Sequence, residues 1–255
     1  MTTYPNVKIN LGLNVLRRRA DGYHDLDTCF IPYFGLSDVL EIEEASECRF
    51  EIVWQDGTPV GWEVEKDLSV RAYRLLCRDF ALPPVRLSLC KRSAVGAGLG
   101  GGSSDAAFAL RMLSELFSLA LSDEALARYA SQLGSDCAFF IYNRPMLGSG
   151  RGEVLKPLEL DLSPYNIKVT VPEGVSVSTA EAYRGVVPRI PDVSIAEVLR
   201  RPVRQWKDLL VNDFEESVFA LHPRLAEIKR QFYDSGALYS AMSGSGSAVF
   251  GIFEK

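Results

Sequence analysis

The chain has 255 residues, 47% of them hydrophobic and 24% charged, and a net charge of −5 at pH 7. That length holds one large or two modest domains with a sizeable core, and the acidic balance argues against a nucleic-acid-binding surface. No apolar run approaches the ~20 residues that span a bilayer, and Met1–Lys8 carries no basic segment leading into an apolar core, so neither a membrane anchor nor a secretion leader is expected. Cys29, Cys48, Cys77, Cys90 and Cys137 are odd in number and form no C-x-x-C pair. They read as reduced, mostly buried thiols of a cytoplasmic protein. Two histidines, His24 and His222, argue against a histidine-rich zinc site.

In chain order, Val7, Ile9, Leu11, Leu13 and Val15 alternate with Lys8, Asn10, Gly12 and Asn14, which predicts a half-buried strand over 7–16. A lysine and two asparagines on one face suit either the lining of a site or a solvated strand face. A basic loop follows, Arg17–Asp25, with a turn at Asp21-Gly22 and with Tyr23 and His24 at its tip, where binding groups gather. Strands are predicted over 27–34, 39–44 and 49–54, the last ending in a turn at Gln55–Thr58. Asp67 reads as the cap of a helix over 68–80, and 85–90 as a strand. A helix is predicted from Asp105 to about Phe117 and another after Ser122, with Gly134 just past its end. Asp136 precedes a run of small and aromatic residues, where a carboxylate needs a partner, a task, or the N-cap of a short helix. Gly148–Gly152 reads as a boundary between halves, 1–150 and 151–255. Beyond it come a strand over 166–171, a helix opened by Ser178-Thr179-Ala180-Glu181 and running through Tyr183, and helices over 194–201, 213–221 and 223–234. A strand, the small-residue loop Ser243–Ser247 and an apolar strand over 248–253 close the chain.

The segment Lys91–Asp105 organises the rest. Five glycines join a strand to a helix, and glycine lets successive N–H groups turn toward one point. The helix start adds unpaired N–H groups and a positive dipole end, with Ser103 and Ser104 there as N-caps or as ligands for a metal or phosphate oxygen. Such a loop is a phosphate cradle, against the alternative of a flexible linker, which is rarely flanked so tightly by regular elements. The chain has no G-x-x-x-x-G-K-[ST], so the cradle is not a P-loop. Gly96, Gly98 and Gly101 spell G-x-G-x-x-G, but no second strand ending in an acid follows, and the preceding strand alternates. Both features count against a dinucleotide fold.

Gly98-Leu99-Gly100-Gly101-Gly102-Ser103-Ser104 resembles the glycine loop of the GHMP kinases. So do Lys8-Ile9-Asn10-Leu11, Leu133-Gly134-Ser135-Asp136 and Ser243-Gly244-Ser245-Gly246, in the same order and over nearly the whole chain. Arg19-Ala20-Asp21-Gly22-Tyr23-His24 resembles the stretch of those members that act on a cytidyl diphosphate sugar alcohol. The resemblance implies an α+β, two-domain GHMP kinase fold with its active site in the interdomain cleft. It implies transfer of a phosphoryl group from ATP, with Mg²⁺, to the 2-hydroxyl of 4-diphosphocytidyl-2-C-methyl-D-erythritol, in the non-mevalonate route to isoprenoid precursors. Asp136 matches the catalytic base and Lys8 the lysine beside it. Lys91, Gly96, Gly98, Leu99, Gly100, Gly101, Gly102, Ser103 and Ser104 match the ATP-binding segment. Tyr23 and His24 fall where cytosine is recognised, Tyr183 where a second aromatic completes a sandwich, and Asn10 and Thr179 where the methylerythritol diphosphate is held. The implied partners are small molecules, with neither nucleic acid nor membrane, and the implied state is a monomer or weak homodimer. Other readings are a GHMP kinase of mevalonate or homoserine type, and a non-catalytic nucleotide-binding protein on the same scaffold. The chain departs from the family at Ala94, where proline is usual, and at Asp67, where an asparagine commonly meets adenine. It also stops soon after the third motif, where relatives usually continue.

Overall fold

The computed structural model describes every residue from Met1 to Lys255. Its first elements are β1 (Thr2–Thr3), β2 (Asn6–Arg18), β3 (His24–Ser37), β4 (Val39–Glu44), β5 (Arg49–Trp54), α1 (Leu68–Leu76), β6 (Val85–Lys91) and α2 (Gly101–Leu116). Then come α3 (Asp123–Ala130), α4 (Cys137–Tyr142), β7 (Met146–Ser149), β8 (Val154–Pro157), β9 (Tyr165–Thr170), α5 (Thr179–Arg184) and α6 (Ile195–Leu199). The last are α7 (Glu215–Leu221), α8 (Pro223–Asp234), β10 (Tyr239–Met242) and β11 (Val249–Glu254). No helix is long and apolar enough to cross a membrane. All five cysteines are free, but only Cys29 and Cys137 are buried and Cys48 is exposed, so the expectation of mostly buried thiols is corrected.

Two compact units are interleaved along the chain. The first comprises 1–7, 32–95 and 100–143, the second 8–31, 96–99 and 144–255. The expected division at residue 150 runs along the sequence, whereas the spatial one does not, because 8–31 carries the part of β3 that pairs with β7, with β2 beside it. Gly148–Gly152 covers the end of β7 and most of the turn into β8, with Ser149 facing Val154.

The first unit holds a sheet in the order β1-β4-β6-β5. β4 and β6 are antiparallel, β5 and β6 parallel. A parallel pair needs a crossover, which α1 provides. In β6, Val85, Leu87, Leu89 and Lys91 are buried while Arg86 is exposed, so the alternation noted in the sequence marks a sheet covered on one face. α2 packs against α1 and β4; its Ala106, Ala107 and Ala109, all buried, keep that approach close beside Leu110 and Leu113. Among the helix bounds that differ from expectation, two have a clear local cause. α1 ends at Leu76 because the chain tightens there, Arg78 N–H bonding Leu75 O and Asp79 N–H bonding Leu76 O. α2 starts four residues before Asp105 because Gly100, at φ 72°, is its N-cap in the left-handed conformation.

The second unit has sheets in the orders β2-β3-β7-β8 and β10-β11-β9. Its core joins Leu13, Val15 and Leu26 to Phe214, Val218, Leu225, Ile228, Met242 and Val249. α8 starts with a proline, which lacks only an N–H that a first-turn position leaves unpaired anyway, and it packs on β10 and β11.

Candidate active site

The alternation of β2 turns its polar face inward. Lys8 and Asn10 are 3% and 2% exposed, so this face is not solvated. The Lys8 ammonium donates to Asn10 Oδ1 at 2.6 Å and to Gly98 O at 2.9 Å, and lies 5.5 Å from the centre of the Phe30 ring. Asn10 Nδ2 donates to Thr28 Oγ1, which donates to Gly12 O. Both ends of the Asn10 amide thus bond within the second unit, its oxygen to the Lys8 ammonium and its nitrogen to Thr28. Ser243, missed in the sequence as an individual residue, accepts the Asn10 N–H at 3.3 Å and donates to Gly98 O at 2.9 Å. The third glycine motif thereby braces the first. Residues 96–99 are tied down further by Lys8 N–H to Leu99 O and Ala248 N–H to Ala97 O. At Gly98, φ is +75° and a Cβ would overlap Ser243 O and stand 3.0 Å from its carbonyl carbon. Only glycine fits there.

In the first unit the loop enters α2. Ser103 and Ser104 are inside its first turn and are not N-caps, since Gly100 holds that place. Gly102 is exposed and meets only Leu68, whereas a Cβ at Gly101 would overlap Ser93 Oγ. The Cys137 thiol, at the start of α4, has its pKa pushed up to about 11, chiefly by burial, with the Ser103 side chain acting the other way. Asp136 occupies the N-cap position of α4 without a side-chain cap bond, and Ser135 Oγ donates to it at 3.3 Å. Lys8 belongs to the second unit and Asp136 to the first.

Lys91, expected beside the nucleotide, is corrected by its burial. Strand parity puts it on the core face, 1% exposed, where its ammonium bonds Asp38 Oδ2, Asp105 Oδ2 (2.5 Å) and Ser93 Oγ (3.1 Å). Burial depresses a lysine, but the Asp105 and Asp38 carboxylates outweigh it and hold Lys91 above its ordinary pKa. Burial likewise pushes Asp38 up, yet Lys91 and the bonds from Ser93 and the Arg92 N–H leave it below the usual carboxylate range. Asp105 is the strained member: burial raises it well above that range, Lys91 only partly offsetting the effect. A folded-state pKa raised in this way favours the fold at low pH and loses that contribution as pH rises past the ordinary carboxylate value of about 4. Asp105→Asn, which keeps an oxygen for Lys91 and has no proton to lose, should therefore gain stability relative to the parent as pH rises from about 4 to 7. Thermal unfolding across that range checks it; a difference independent of pH would contradict it.

Asp67, at the adenine position of the family, spends both oxygens locally: Oδ1 on the Ser69 N–H and hydroxyl, Oδ2 on Trp62 Nε1. It is the N-cap of α1. In the second unit, Tyr23 is exposed and its ring carries the Arg151 guanidinium at 4.8 Å. His24 stacks on Tyr183 with centroids 4.8 Å apart and planes 20° apart, and Phe214 meets Tyr183 edge-on. Of the three rings expected around cytosine, His24 and Tyr183 are in direct contact. Thr179 is exposed at the start of α5, its hydroxyl 3.5 Å from Ser245 Oγ in the third glycine motif.

Residues 67–144 match the N-terminal domain of the GHMP kinases and 194–255 their C-terminal domain. A 4-diphosphocytidyl-2-C-methyl-D-erythritol kinase of Azobacteroides pseudotrichonymphae is 48% identical, over 100% of this chain and 94% of that protein. One from Bacteroides fragilis is 49% identical over 99% and 92%. The crystal structure of a 4-(cytidine 5′-diphospho)-2C-methyl-D-erythritol kinase superposes with a TM-score of 0.83 at 38% identity, covering 99% of this chain and 90% of its own. A homoserine kinase from Cytophaga hutchinsonii shares the fold at 15% identity, with a TM-score of 0.71 over 97% and 85% of the two chains. With full-length relatives of this kind and both domains matched, the chain belongs to the GHMP kinases and, within them, to the 4-diphosphocytidyl-2-C-methyl-D-erythritol kinase family.

Proposed function

We propose that the chain transfers the γ-phosphoryl group of ATP to the 2-hydroxyl of 4-diphosphocytidyl-2-C-methyl-D-erythritol, releasing ADP and the 2-phosphate. The observation that carries this reading is the identity of 45–49% over essentially the full chain to several kinases of that name. Asp136 accepts the hydroxyl proton as the hydroxyl oxygen bonds to the γ-phosphorus and the bond to the β-phosphate oxygen breaks. Lys8, held by Asn10 and Gly98, presents its ammonium to the developing negative charge. The backbone of 96–102 and the first turn of α2 receive the polyphosphate.

The family also implies Mg²⁺. No group of three or more His, Cys, Asp or Glu side chains could hold a metal, which suits an ion carried mainly by phosphate oxygens and water. Ser104 Oγ, in the first turn of α2, is buried without a hydrogen-bond partner and fits as a hard oxygen ligand. When bound, Mg²⁺ would neutralise charge on the β- and γ-phosphates.

Cytosine recognition falls to Tyr23, His24 and Tyr183, and the sugar-alcohol diphosphate to Thr179. His24→Ala should raise the KM for the cytidyl substrate about tenfold or more with a much smaller change in kcat, as expected when a binding contact is lost. Steady-state kinetics at saturating ATP measures this, and an unchanged KM would place the cytosine elsewhere. The mevalonate and homoserine kinases among its structural neighbours are only 13–17% identical and speak for the fold alone. Free thiols and the acidic charge suit a cytoplasmic enzyme working on small molecules, and the family resemblance implies a monomer or weak homodimer. ADP release with ATP and each of the cytidyl substrate, mevalonate and homoserine tests the reading. Release is expected with the first alone, and a preference for another acceptor would overturn it.

A further inference from the structure

The cluster around Lys91 has a geometry that a plain core ion pair does not need. Asp38, between β3 and β4, is fully buried and accepts four hydrogen bonds. Its Oδ1 takes the Arg92 and Ser93 N–H groups at 2.5 and 2.7 Å. Its Oδ2 takes the Ser93 hydroxyl at 2.7 Å and the Lys91 ammonium. The Asp38 N–H is itself bonded to Pro5 O at 3.0 Å, so the carboxylate is mounted on fixed backbone. Residues 91–93 are where the chain leaves β6 for the glycine loop. The same ammonium reaches Asp105 on α2, where the chain has come back from the loop. Gly101, the first residue of α2, closes over the cluster: a Cβ there would overlap Ser93 Oγ and lie 3.4 Å from Lys91 Nζ. Departure and return of the loop thus meet at one buried point.

We propose that Asp38 is a positioning residue for nucleotide binding, clamping both ends of the glycine loop through Ser93, Lys91 and Asp105 so that its N–H groups are set before ATP arrives. The proposal rests on the assignment of that loop to the polyphosphate. Burying a lysine and two carboxylates is costly, and replacing such a group by apolar residues is often neutral or stabilising. Preorganising a loop whose ligand is a polyanion gives the cluster a use that core packing does not require. Asp38 touches neither reacting group, so its effect passes through the loop.

The test uses the full-length enzyme. Asp38→Asn removes the charge and turns one acceptor oxygen into a donor facing N–H groups. Ser93→Ala removes only the hydroxyl link. Calorimetric ADP binding is measured with KM for ATP, KM for the cytidyl substrate, kcat and thermal unfolding. The expected result for Asp38→Asn is a rise of about tenfold or more in ADP Kd and ATP KM, with the cytidyl KM within about twofold and kcat at saturation far less affected. Ser93→Ala should shift ADP Kd in the same direction by a few-fold. Unchanged ADP affinity in a folded Asp38→Asn protein overturns the proposal. So does a parallel change of both KM values with kcat, the mark of general damage. Should Asp38→Asn fail to fold, Ser93→Ala decides: weaker ADP binding at constant cytidyl KM supports the clamp, and unchanged binding overturns it. ADP binding needs no acceptor, so a parent enzyme that binds ADP without phosphorylating the cytidyl substrate refutes the assigned reaction, while the effect of the variants on ADP binding still judges the clamp.

Discussion

Asp136→Asn should lower the rate of phosphoryl transfer by roughly 10²–10⁴ while leaving the fold in place. The fold should survive because the Asp136 side chain makes no cap bond to α4, so the amide costs that helix no hydrogen bond. The half-buried position suits an acid that must meet a substrate. Single-turnover kinetics at saturating ATP and acceptor isolates the chemical step, and thermal unfolding should show little change. If Asp136 takes the proton, the amide removes the base without removing the shape, and KM values should move far less than kcat. Turnover near that of the parent would remove Asp136 from the mechanism.

Gly98→Ala should damage both stability and nucleotide binding. An alanine at φ +75° costs about 1–2 kcal/mol from its own backbone. The added methyl meets Ser243 O and also stands 3.2 Å from Gly246 N. These are backbone atoms, so no side-chain rotation relieves the overlap. The two glycine motifs must separate, breaking the Ser243 hydroxyl bond to Gly98 O and moving the acceptor of the Lys8 ammonium. A drop in Tm of about 4–8 °C is expected, with kcat/KM for ATP down by roughly 10² or more, since Lys8 loses its orientation as the loop shifts. The contrasting variant is Gly102→Ala, where the nearest atom, Leu68 Cδ1, is 3.9 Å away and φ is not positive. A Gly98→Ala enzyme with unchanged Tm and kinetics would contradict the bracing of one motif by the other.

Local periodicity carried much of the architecture. β4, β5 and α8 match their predicted bounds because alternation, or a proline start, marked them. The site was legible as residue types: Lys8, the glycine loop, Tyr23 with His24, Asp136 and the Ser243 loop. Pairings across long sequence separations were not. Asp38 lies 53 residues from Lys91, and Ser243 lies 145 from Gly98. Each meets its partner only because strands far apart in sequence share a sheet or a unit. Lys91 was the one misplacement with a local warning. The alternation of Val85, Leu87 and Leu89 already put residue 91 on the core face, and a buried ammonium demands carboxylates. The serines of the loop suit either caps or oxygen ligands, because hydroxyls serve as both, and the cap place is taken by left-handed Gly100. Stacking of His24 on Tyr183 could not be foreseen, since it joins the end of a loop to a helix some 160 residues later.

The most direct test of the assigned reaction is identification of the products by ³¹P NMR after incubation of the protein with ATP, Mg²⁺ and 4-diphosphocytidyl-2-C-methyl-D-erythritol. The expected spectrum shows ADP and one new phosphomonoester on the acceptor, at its tertiary 2-hydroxyl, formed in equal amounts and absent from an Asp136→Asn sample on the same timescale. ATP left intact, ADP formed with free phosphate alone, or a phosphomonoester at another hydroxyl would contradict it.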